Sequence, residues 1–249
     1  MSSLINISDL SLCRGHKTLL SHLNVDVDAG QITVVLGPNG AGKSTLLLAL
    51  AGLMSIEKGK ISIQGQQLTQ FSRLEMSRQI AWQGELPPTE FGLRVEQRLQ
   101  LAVPDSDDNI QVIAASLQLT TLLQRSLGDL SAGERQRVEL AALMLRDTPV
   151  WLLDEPTAHL DLKHQRLCLQ MLKSQATQGR SIVTVLHDIQ QAEAVADQVI
   201  LIDGKGGVES GEAAQMLTQT KLSDLFDTPL LRQGSILAPD YGGDDESTR

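Results

Sequence analysis

Two kinds of hydrophobic pattern recur along the chain. Near the N-terminus, apolar and polar residues alternate over Leu4–Leu12 and Leu23–Val27, which predicts half-buried strands. A short β-branched run at Gln31–Gly37 predicts a further strand that ends in a Gly-rich turn. Continuous apolar runs follow at Val150–Asp154 and Ser181–Leu186, as expected of strands buried on both faces of a parallel sheet. The chain therefore begins with antiparallel pairing and continues with a mostly parallel sheet.

Helical segments alternate with these strands. A helix is predicted after Gly37 and another over Leu162–Gln178, and a further strand over Val199–Asp203. Between about residues 86 and 146, Leu- and Gln-rich segments with few strand signals predict a helical insertion. We predict one α/β domain over residues 1–249, with an N-terminal antiparallel β subdomain and an inserted α-helical subdomain at about 86–146.

Composition narrows the classes of function. The 249 residues carry a net charge of −9, which disfavours general binding to nucleic acid or to an anionic membrane surface. The longest apolar run, Leu46–Met54, is too short for a bilayer, which needs about 20 residues. Work at a membrane would therefore require a protein partner. Cys13 and Cys168 have no close-spaced partner, so neither a disulfide framework nor a cysteine metal site is expected.

The segment GPNGAGKST matches G-x-x-x-x-G-K-[ST] between a predicted strand and a predicted helix, as in a P-loop NTPase core. Its glycines let backbone N–H groups turn toward phosphate oxygens, and the following helix adds its positive dipole end. Lys43 can neutralise the β- and γ-phosphates, and Ser44 can ligate Mg²⁺. The predicted phosphate-binding residues are Gly37, Pro38, Asn39, Gly40, Ala41, Gly42, Lys43, Ser44 and Thr45.

Asp154 and Glu155 stand at the C-terminal end of the predicted strand Val150–Asp154. Ligands of open α/β sheets gather at this edge, so Asp154 is suited to hold Mg²⁺ through water and Glu155 to polarise the attacking water. Ser131 and Glu134 have the spacing of a capping box, which indicates a capped helix whose N-terminus is also an anion site. Taken alone, His187 is a structural histidine at the end of a strand.

Together these segments resemble the ATP-binding cassette (ABC) family from about Leu4 to Phe226. GPNGAGKST resembles its phosphate loop, LSAGERQR its signature sequence, and VWLLDEP its Mg²⁺ and base strand. TAHLD resembles its D-loop, and His187 its switch histidine. The motifs occur in the family's order.

The resemblance implies a mechanism. Two copies pair head to tail, and ATP and Mg²⁺ lie between the phosphate loop of one copy and the signature helix of the other. Ser131 and Gly133 would contact the γ-phosphate bound by the partner. Glu155 would act on the water, His187 would contact the γ-phosphate, and Asp161 would help couple the two sites.

Three departures from the family pattern concern the site. Ala132 replaces the first signature glycine, although Gly133 remains. Arg14 stands where an aromatic ring usually stacks on adenine, and a guanidinium plane can also stack on a flat ring. The family has a glutamine that contacts Mg²⁺ and the attacking water. Strand register puts this position at Glu85, and the nearby glutamine is Gln83, two residues earlier. We prefer Gln83.

Further segments resemble the importer branch for siderophores, haem and cobalamin, namely LDLKHQ, LHDIQQAEAVAD and LTQTKLSDLF. The insertion lacks the LGRxP run of many siderophore and haem members, which leans toward cobalamin. The resemblance implies an ATPase at the cytoplasmic face of the inner membrane. It would be bound to permease subunits and act indirectly with a substrate-binding protein, without nucleic acid or direct insertion into the membrane. The alternatives are a soluble ABC ATPase without a transport role and an ABC ATPase for another substrate.

Overall fold

The structure is a computed structural model that describes residues 3–87, 92–103, 107–234 and 236–239. Within these ranges the strands are β1 (Ser3–Arg14), β2 (Lys17–Asp28), β3 (Ile32–Leu36), β4 (Lys58–Ile63), β5 (Gln66–Gln67), β6 (Ile80–Gln83), β7 (Val150–Asp154), β8 (Ser181–Val185), β9 (Gln198–Ile202), β10 (Val208–Glu212), β11 (Leu230–Gln233) and β12 (Ile236–Pro239). The α-helices are α1 (Lys43–Leu50), α2 (Arg73–Gln79), α3 (Val95–Gln100), α4 (Asp107–Ser116), α5 (Ala132–Met144), α6 (Leu162–Thr177), α7 (Ile189–Val195), α8 (Ala213–Met216) and α9 (Gln219–Phe226).

A six-stranded sheet forms the centre, in the order β10-β9-β3-β8-β7-β6. Its five strands from β9 to β6 run parallel, and β10 adds an antiparallel edge. β3 corresponds to the β-branched run, and β7 and β8 correspond to the two continuous apolar runs. All five residues of β3 and of β8 are buried. The predicted mostly parallel α/β sheet is confirmed.

The N-terminal strands form a separate antiparallel sheet in the order β2-β1-β4-β5. The alternation in the sequence becomes a buried face and an exposed face, with Ile7 opposite Val25 on β2 and opposite Ile61 on β4. This buried face packs with α1 and with one face of the central sheet into a single hydrophobic cluster. α1 therefore lies between two sheets, and the predicted antiparallel subdomain is confirmed.

Residues of the central strands alternate between two hydrophobic clusters. Val35 and Leu152 belong to the cluster around α1, whereas Val34 and Leu153 face the cluster that contains α5 and α6. Because α1 lies on one face of the sheet and α5 and α6 on the other, the carboxyl ends of the parallel strands are left as an open edge.

The helices α3, α4 and α5 lie between β6 and β7 in the chain, as the helical insertion predicted. Their buried residues join the same cluster as the central sheet, for example Leu99 and Val138. Arg98 and Glu139 connect α3 to α5 by two hydrogen bonds of 3.0 and 2.5 Å. The bounds 86–146 stay a prediction, and residues 88–91 and 104–106 of that range lie outside the described residues.

Cys13 and Cys168 are both free thiols. Among the described residues, no helix is both long and apolar enough to cross a membrane.

Candidate functional site

The phosphate-loop residues connect β3 to α1 at the open edge of the sheet. Gly37, Gly40 and Gly42 have φ values of 155°, 74° and 110°, in the region that favours glycine. A Cβ atom on Gly37 would lie 2.1 Å from the carbonyl oxygen of Ile202, so a side chain cannot fit there. Gly42 caps α1 without a side-chain hydrogen bond, which leaves the first-turn N–H groups of the helix available to an anion.

Lys43 lies over this loop and is buried. Its Nζ donates to the carbonyl oxygens of Gly37 and Pro38 at 2.8 and 3.0 Å. Burial lowers the pKa of Lys43, and the nearby charges of Glu155 and Asp154 partly oppose this effect. The cation is thus held at the mouth of the loop, where it can neutralise phosphate charge.

A cleft of about 680 Å³ surrounds the loop. Its size falls within the range of small-molecule sites. The structure brings Arg14, Glu155 and His187 together here with the phosphate-loop residues. The lining consists of Arg14, Lys17, Leu19, Asn39, Gly40, Gly42, Lys43, Ser44, Thr45, Glu155 and His187.

Glu155 and His187 meet across the ends of β7 and β8. Glu155 Oε1 lies 2.6 Å from His187 Nε2, and both side chains are about half exposed. The backbone of Glu155 has a φ of 52°, which is uncommon for a residue other than glycine, and its N–H donates to the carbonyl oxygen of Val185 at 3.2 Å. Such strain persists where the surroundings fix it, and it clusters at functional sites.

Ser44, Gln83 and Asp154 line a neighbouring cleft of about 530 Å³. Gln83 ends β6 and pairs in register with Leu153, the residue before Asp154. Among the described residues, Gln83 Oε1 and Asp154 Oδ1 are buried oxygens without a hydrogen-bond partner. Mg²⁺ prefers oxygen ligands of this kind, so these side chains fit a magnesium ion.

The pKa of Asp154 is raised, primarily by burial, and a hydrogen bond from Ser44 partly opposes that effect. The negative charges of Glu155 and Glu85 add to the rise, and the positive charge of Lys43 counters it. A bound cation would therefore stabilise the ionised form of the buried Asp154 carboxylate. The same cleft contains Glu85, which follows the end of β6, whereas Gln83 is the buried residue at the strand end.

The signature and D-loop residues line a different cleft, of about 540 Å³. Ser131 caps α5 in the predicted capping box: its Oγ accepts from the Glu134 N–H at 3.2 Å, and its own N–H donates to Glu134 Oε2 at 2.8 Å. Asp161 caps α6 by accepting from the His164 N–H at 2.8 Å. Ser131, Gly133 and Asp161 therefore lie together, and they do not line the cleft of the phosphate loop.

Sequence reasoning missed Lys17, which lines the phosphate-loop cleft, and Gln136, a buried residue that is not part of the linings of these clefts. Lys17 pairs with Arg14 across the β1–β2 hairpin, and both line the phosphate-loop cleft. Two basic residues close together in the sequence were the signal that could have identified Lys17 as a phosphate-binding candidate. Gln136 is buried on α5 and donates to backbone carbonyls of the segment after β7. The sequence shows a glutamine one turn beyond the start of a capped helix. It does not show which backbone carbonyls the side chain contacts, because these depend on how the helix packs.

Comparison with known proteins identifies the family. A family model described as ABC transporter matches residues 20–158, more than half of the chain. The chain is 34% identical over 230 residues to the hemin import ATP-binding protein HmuV of Rhodococcus jostii, and the match covers 89% of this chain and 79% of that protein. It is 35% identical over 222 residues to the vitamin B12 import ATP-binding protein BtuD of Vibrio atlanticus, covering 83% and 88%.

Solved structures agree with these relatives. A metal-chelate type ABC transporter in an inward-facing conformation matches with a TM-score of 0.82 and 26% identity, over 97% of this chain and 98% of that one. An ATP-binding subunit of an ABC transporter matches with a TM-score of 0.78 and 26% identity, over 88% and 94%. The family model, the relatives and the fold agree, and the chain belongs to the ABC transporter family as an ATP-binding subunit with ATPase activity.

Proposed function

We propose that this chain is the ATP-hydrolysing subunit of an importer for metal-chelate substrates and that it works as a head-to-tail dimer. One observation carries the dimer: the phosphate loop, Glu155 and His187 line one cleft, whereas Ser131, Gly133 and Asp161 line another. Each cleft is half of an ATP site. Pairing two copies head to tail completes both sites with residues from each chain.

Binding of ATP rests on the phosphate loop. The first-turn amides of α1 and the turn amides hold the phosphate oxygens, and Lys43 exchanges its two carbonyl partners for the β- and γ-phosphates. Ser44, Asp154 and Gln83 would hold Mg²⁺, which when bound neutralises charge on the phosphates. The lone oxygens of Gln83 and Asp154 support this assignment and favour Gln83 over Glu85.

Hydrolysis uses the pair at the ends of β7 and β8. The Glu155 carboxylate accepts the proton of the attacking water as a general base. His187 Nε2 lies 2.6 Å from this carboxylate. Arrival of the γ-phosphate gives His187 a second acceptor, so the imidazole contacts the phosphate and the carboxylate becomes free to orient the water.

The partner's Ser131 hydroxyl and first-turn amides of α5 complete the site from the opposite side of the γ-phosphate. Asp161 lies in the same cleft and links this half to the loop that carries Glu155. ATP is then enclosed by both chains, and hydrolysis requires the dimer.

Import requires a membrane partner. We assign to it the apolar groove, defined by Leu53, Met54, Phe71 and Met76, which has a volume of about 850 Å³. Leu53 is 62% exposed, and Arg73 lies at the lining beside these apolar side chains. A cytoplasmic loop of the permease with an apolar face and an acidic residue fits this groove. The subunit would then be held at the cytoplasmic face of the membrane without inserting into it.

The substrate class follows from the relatives. Proteins named for hemin import and for vitamin B12 import match this chain at 34% and 35% identity, so they do not separate the two substrates. Both compounds are metal complexes of tetrapyrrole-type rings, and we propose this class as the transported substrate. ATPase assays of the complex with its permease in vesicles, with a binding protein loaded with hemin, cobalamin or a ferric siderophore, identify the compound that stimulates hydrolysis.

A complementation experiment tests the two-chain site. Lys43→Ala removes the phosphate cation, and Ser131→Arg blocks the signature half. Each variant alone lacks both sites of its homodimer. In a heterodimer of the two variants, one site collects both defects and the other is intact. Half of the dimers in an equal mixture are heterodimers with one intact site of two, so mixing should restore hydrolysis to at most about a quarter of the wild-type rate, and to less if the two sites are coupled. No recovery on mixing, or normal hydrolysis by either variant alone, would overturn the two-chain site.

A further inference from the structure

Gln136 connects the two halves of the site within one chain. It lies in α5 one turn beyond Gly133, and only 2% of its surface is exposed. Its side-chain Nε2 donates to the backbone carbonyl oxygens of Glu155 at 3.3 Å and of Pro156 at 3.0 Å. A single side chain of the signature helix thus reaches the backbone of the residue that carries the base.

α5 also contacts the far end of the segment from Glu155 to Asp161. A Cβ atom on Gly133 would lie 2.7 Å from the carbonyl oxygen of His159, so the helix and the segment pack backbone against backbone. The first turn of α5 and Asp161 line the same cleft. α5 is therefore in contact with both ends of this segment.

The opposite side of the segment is fixed to the body of the protein. Thr157 Oγ1 donates to Gln191 Oε1 at 2.7 Å, and Gln191 Nε2 donates to Gln165 Oε1 at 3.3 Å. These contacts hold Thr157 against α6 and α7. Glu155 precedes Thr157 by two residues and has a φ of 52°. A displacement of α5 would therefore act on the Glu155 carbonyl, whereas Thr157 is held by α6 and α7.

We propose that Gln136 is a positioning residue that couples the nucleotide held at the N-terminus of α5 to Glu155 of the same chain. The inference rests on the proposed two-chain site, in which that nucleotide belongs to the partner's phosphate loop. Closure of the partner's γ-phosphate on Ser131 moves α5 as a rigid helix, and the amide of Gln136 carries the movement to Glu155. Each ATP then favours hydrolysis of the other, as a coupling free energy between sites.

Gln136→Met tests this coupling because it keeps the shape of the side chain and removes its donors. The fold should survive, since the Glu155 carbonyl still accepts from the Ala158 N–H at 3.0 Å and the Pro156 carbonyl from Cys168 Sγ at 3.8 Å. The control is Gln124→Met, which makes the same substitution at an exposed position. Gln124 also makes two side-chain hydrogen bonds in the helical insertion, to Glu96 and Arg94, but lies outside the clefts.

We expect Gln136→Met to lower kcat by about 2–30-fold, the usual range of such couplings, and to bring the Hill coefficient for ATP toward one. The affinity of the subunit for ATP, measured without turnover, should not change, because the phosphate loop is untouched. Gln124→Met should leave kcat, cooperativity and affinity at wild-type values.

A double-mutant cycle with Ser131→Ala separates coupling from a general loss of stability. If Gln136 acts through the contact that Ser131 makes, the effects of Gln136→Met and Ser131→Ala on the activation free energy are less than additive. The effects of Gln124→Met and Ser131→Ala should be additive. Unchanged cooperativity in Gln136→Met, or additive effects in the cycle, would overturn the coupling. Failure of the two-chain site is distinguishable, because Ser131→Arg would then leave hydrolysis at the wild-type rate.

Discussion

At the scale of residues, the pairing of Glu155 with His187 decides what each can do. Glu155 Oε1 lies 2.6 Å from His187 Nε2, and both side chains are about half exposed, so water and a phosphate can reach them. Glu155→Gln keeps the size of the side chain and removes its ability to accept a proton. We expect ATP binding to be retained and turnover to fall by a factor of about 10² or more. Size exclusion should show a dimer trapped with ATP, and near-normal hydrolysis would contradict the assignment of the base.

We expect the ionised Asp154 carboxylate to lower the free energy of unfolding of the nucleotide-free chain. Because burial raises its pKa, the folded chain binds a proton at Asp154 more tightly than the unfolded chain does. The ionised carboxylate therefore opposes folding at neutral pH, and the opposition fades as pH falls through the raised pKa. Asp154→Asn should raise the Tm of the nucleotide-free chain by about 2–4 °C at neutral pH.

The advantage of Asp154→Asn over wild type should shrink as the pH is lowered, and hydrolysis should be lost. Melting curves over a pH series measure the difference. Asp147→Asn serves as the control, because its fully exposed carboxylate makes only a surface ion pair with Arg180 and should leave the Tm unchanged. A lower Tm for Asp154→Asn at neutral pH would contradict the role of burial.

Arg14 should make nucleotide binding tolerant of the base. A guanidinium plane stacks on any flat ring and reads no base edge, while the loop amides and Lys43 act on phosphate alone. We expect affinities for ATP and GTP within about tenfold of each other, or about 1.4 kcal/mol. Arg14→Tyr should tighten ATP binding modestly, and Arg14→Ala should weaken it slightly. Titration of the subunit with labelled nucleotides measures this, and a strong preference for ATP that survives Arg14→Ala would show that another residue reads the base.

At the scale of elements, α5 is placed by its first turn. The capping box fixes where the helix starts, and Gly133 lets it approach the segment after β7. Gly133→Ala puts a Cβ atom 2.7 Å from the carbonyl oxygen of His159, so the helix must shift. We expect a clear loss of ATPase activity and a lower Tm. The control is Ala132→Gly at the preceding position, which restores the family's usual residue and should retain activity. Equal losses of activity in the two variants would argue against close packing at Gly133.

At the scale of the whole molecule, an apolar surface and a net acidic charge point to a protein partner. Leu53 lies in the apolar groove and is 62% exposed, so Leu53→Asp should not disturb the core. We expect this variant to bind ATP normally and to lose copurification with the permease. Val112→Asp changes a similarly exposed apolar residue of α4, outside the groove, and should copurify as wild type does. Retention of the permease by Leu53→Asp would remove the groove from the interface.

The sequence by itself determined the local features of the site. A glycine pattern, a strand end or a capping box depends on dihedral angles and hydrogen bonds among neighbouring residues, so the phosphate loop, β7 and the cap of α5 could be predicted. The fold class could be predicted for the same reason, since period-two alternation and doubly buried runs distinguish antiparallel strands from parallel ones.

Tertiary structure decided which of these local features meet. The order β3-β8-β7-β6 brings His187 to Glu155 and leaves Gln83 beside Asp154, although these residues are far apart in the chain. Helix packing sends the Gln136 side chain to the backbone of Glu155 and keeps Ser131 out of the phosphate-loop cleft. Such contacts depend on strand order and on how helices lie across the sheet. The folding of the whole chain sets both, and no local sequence pattern encodes them.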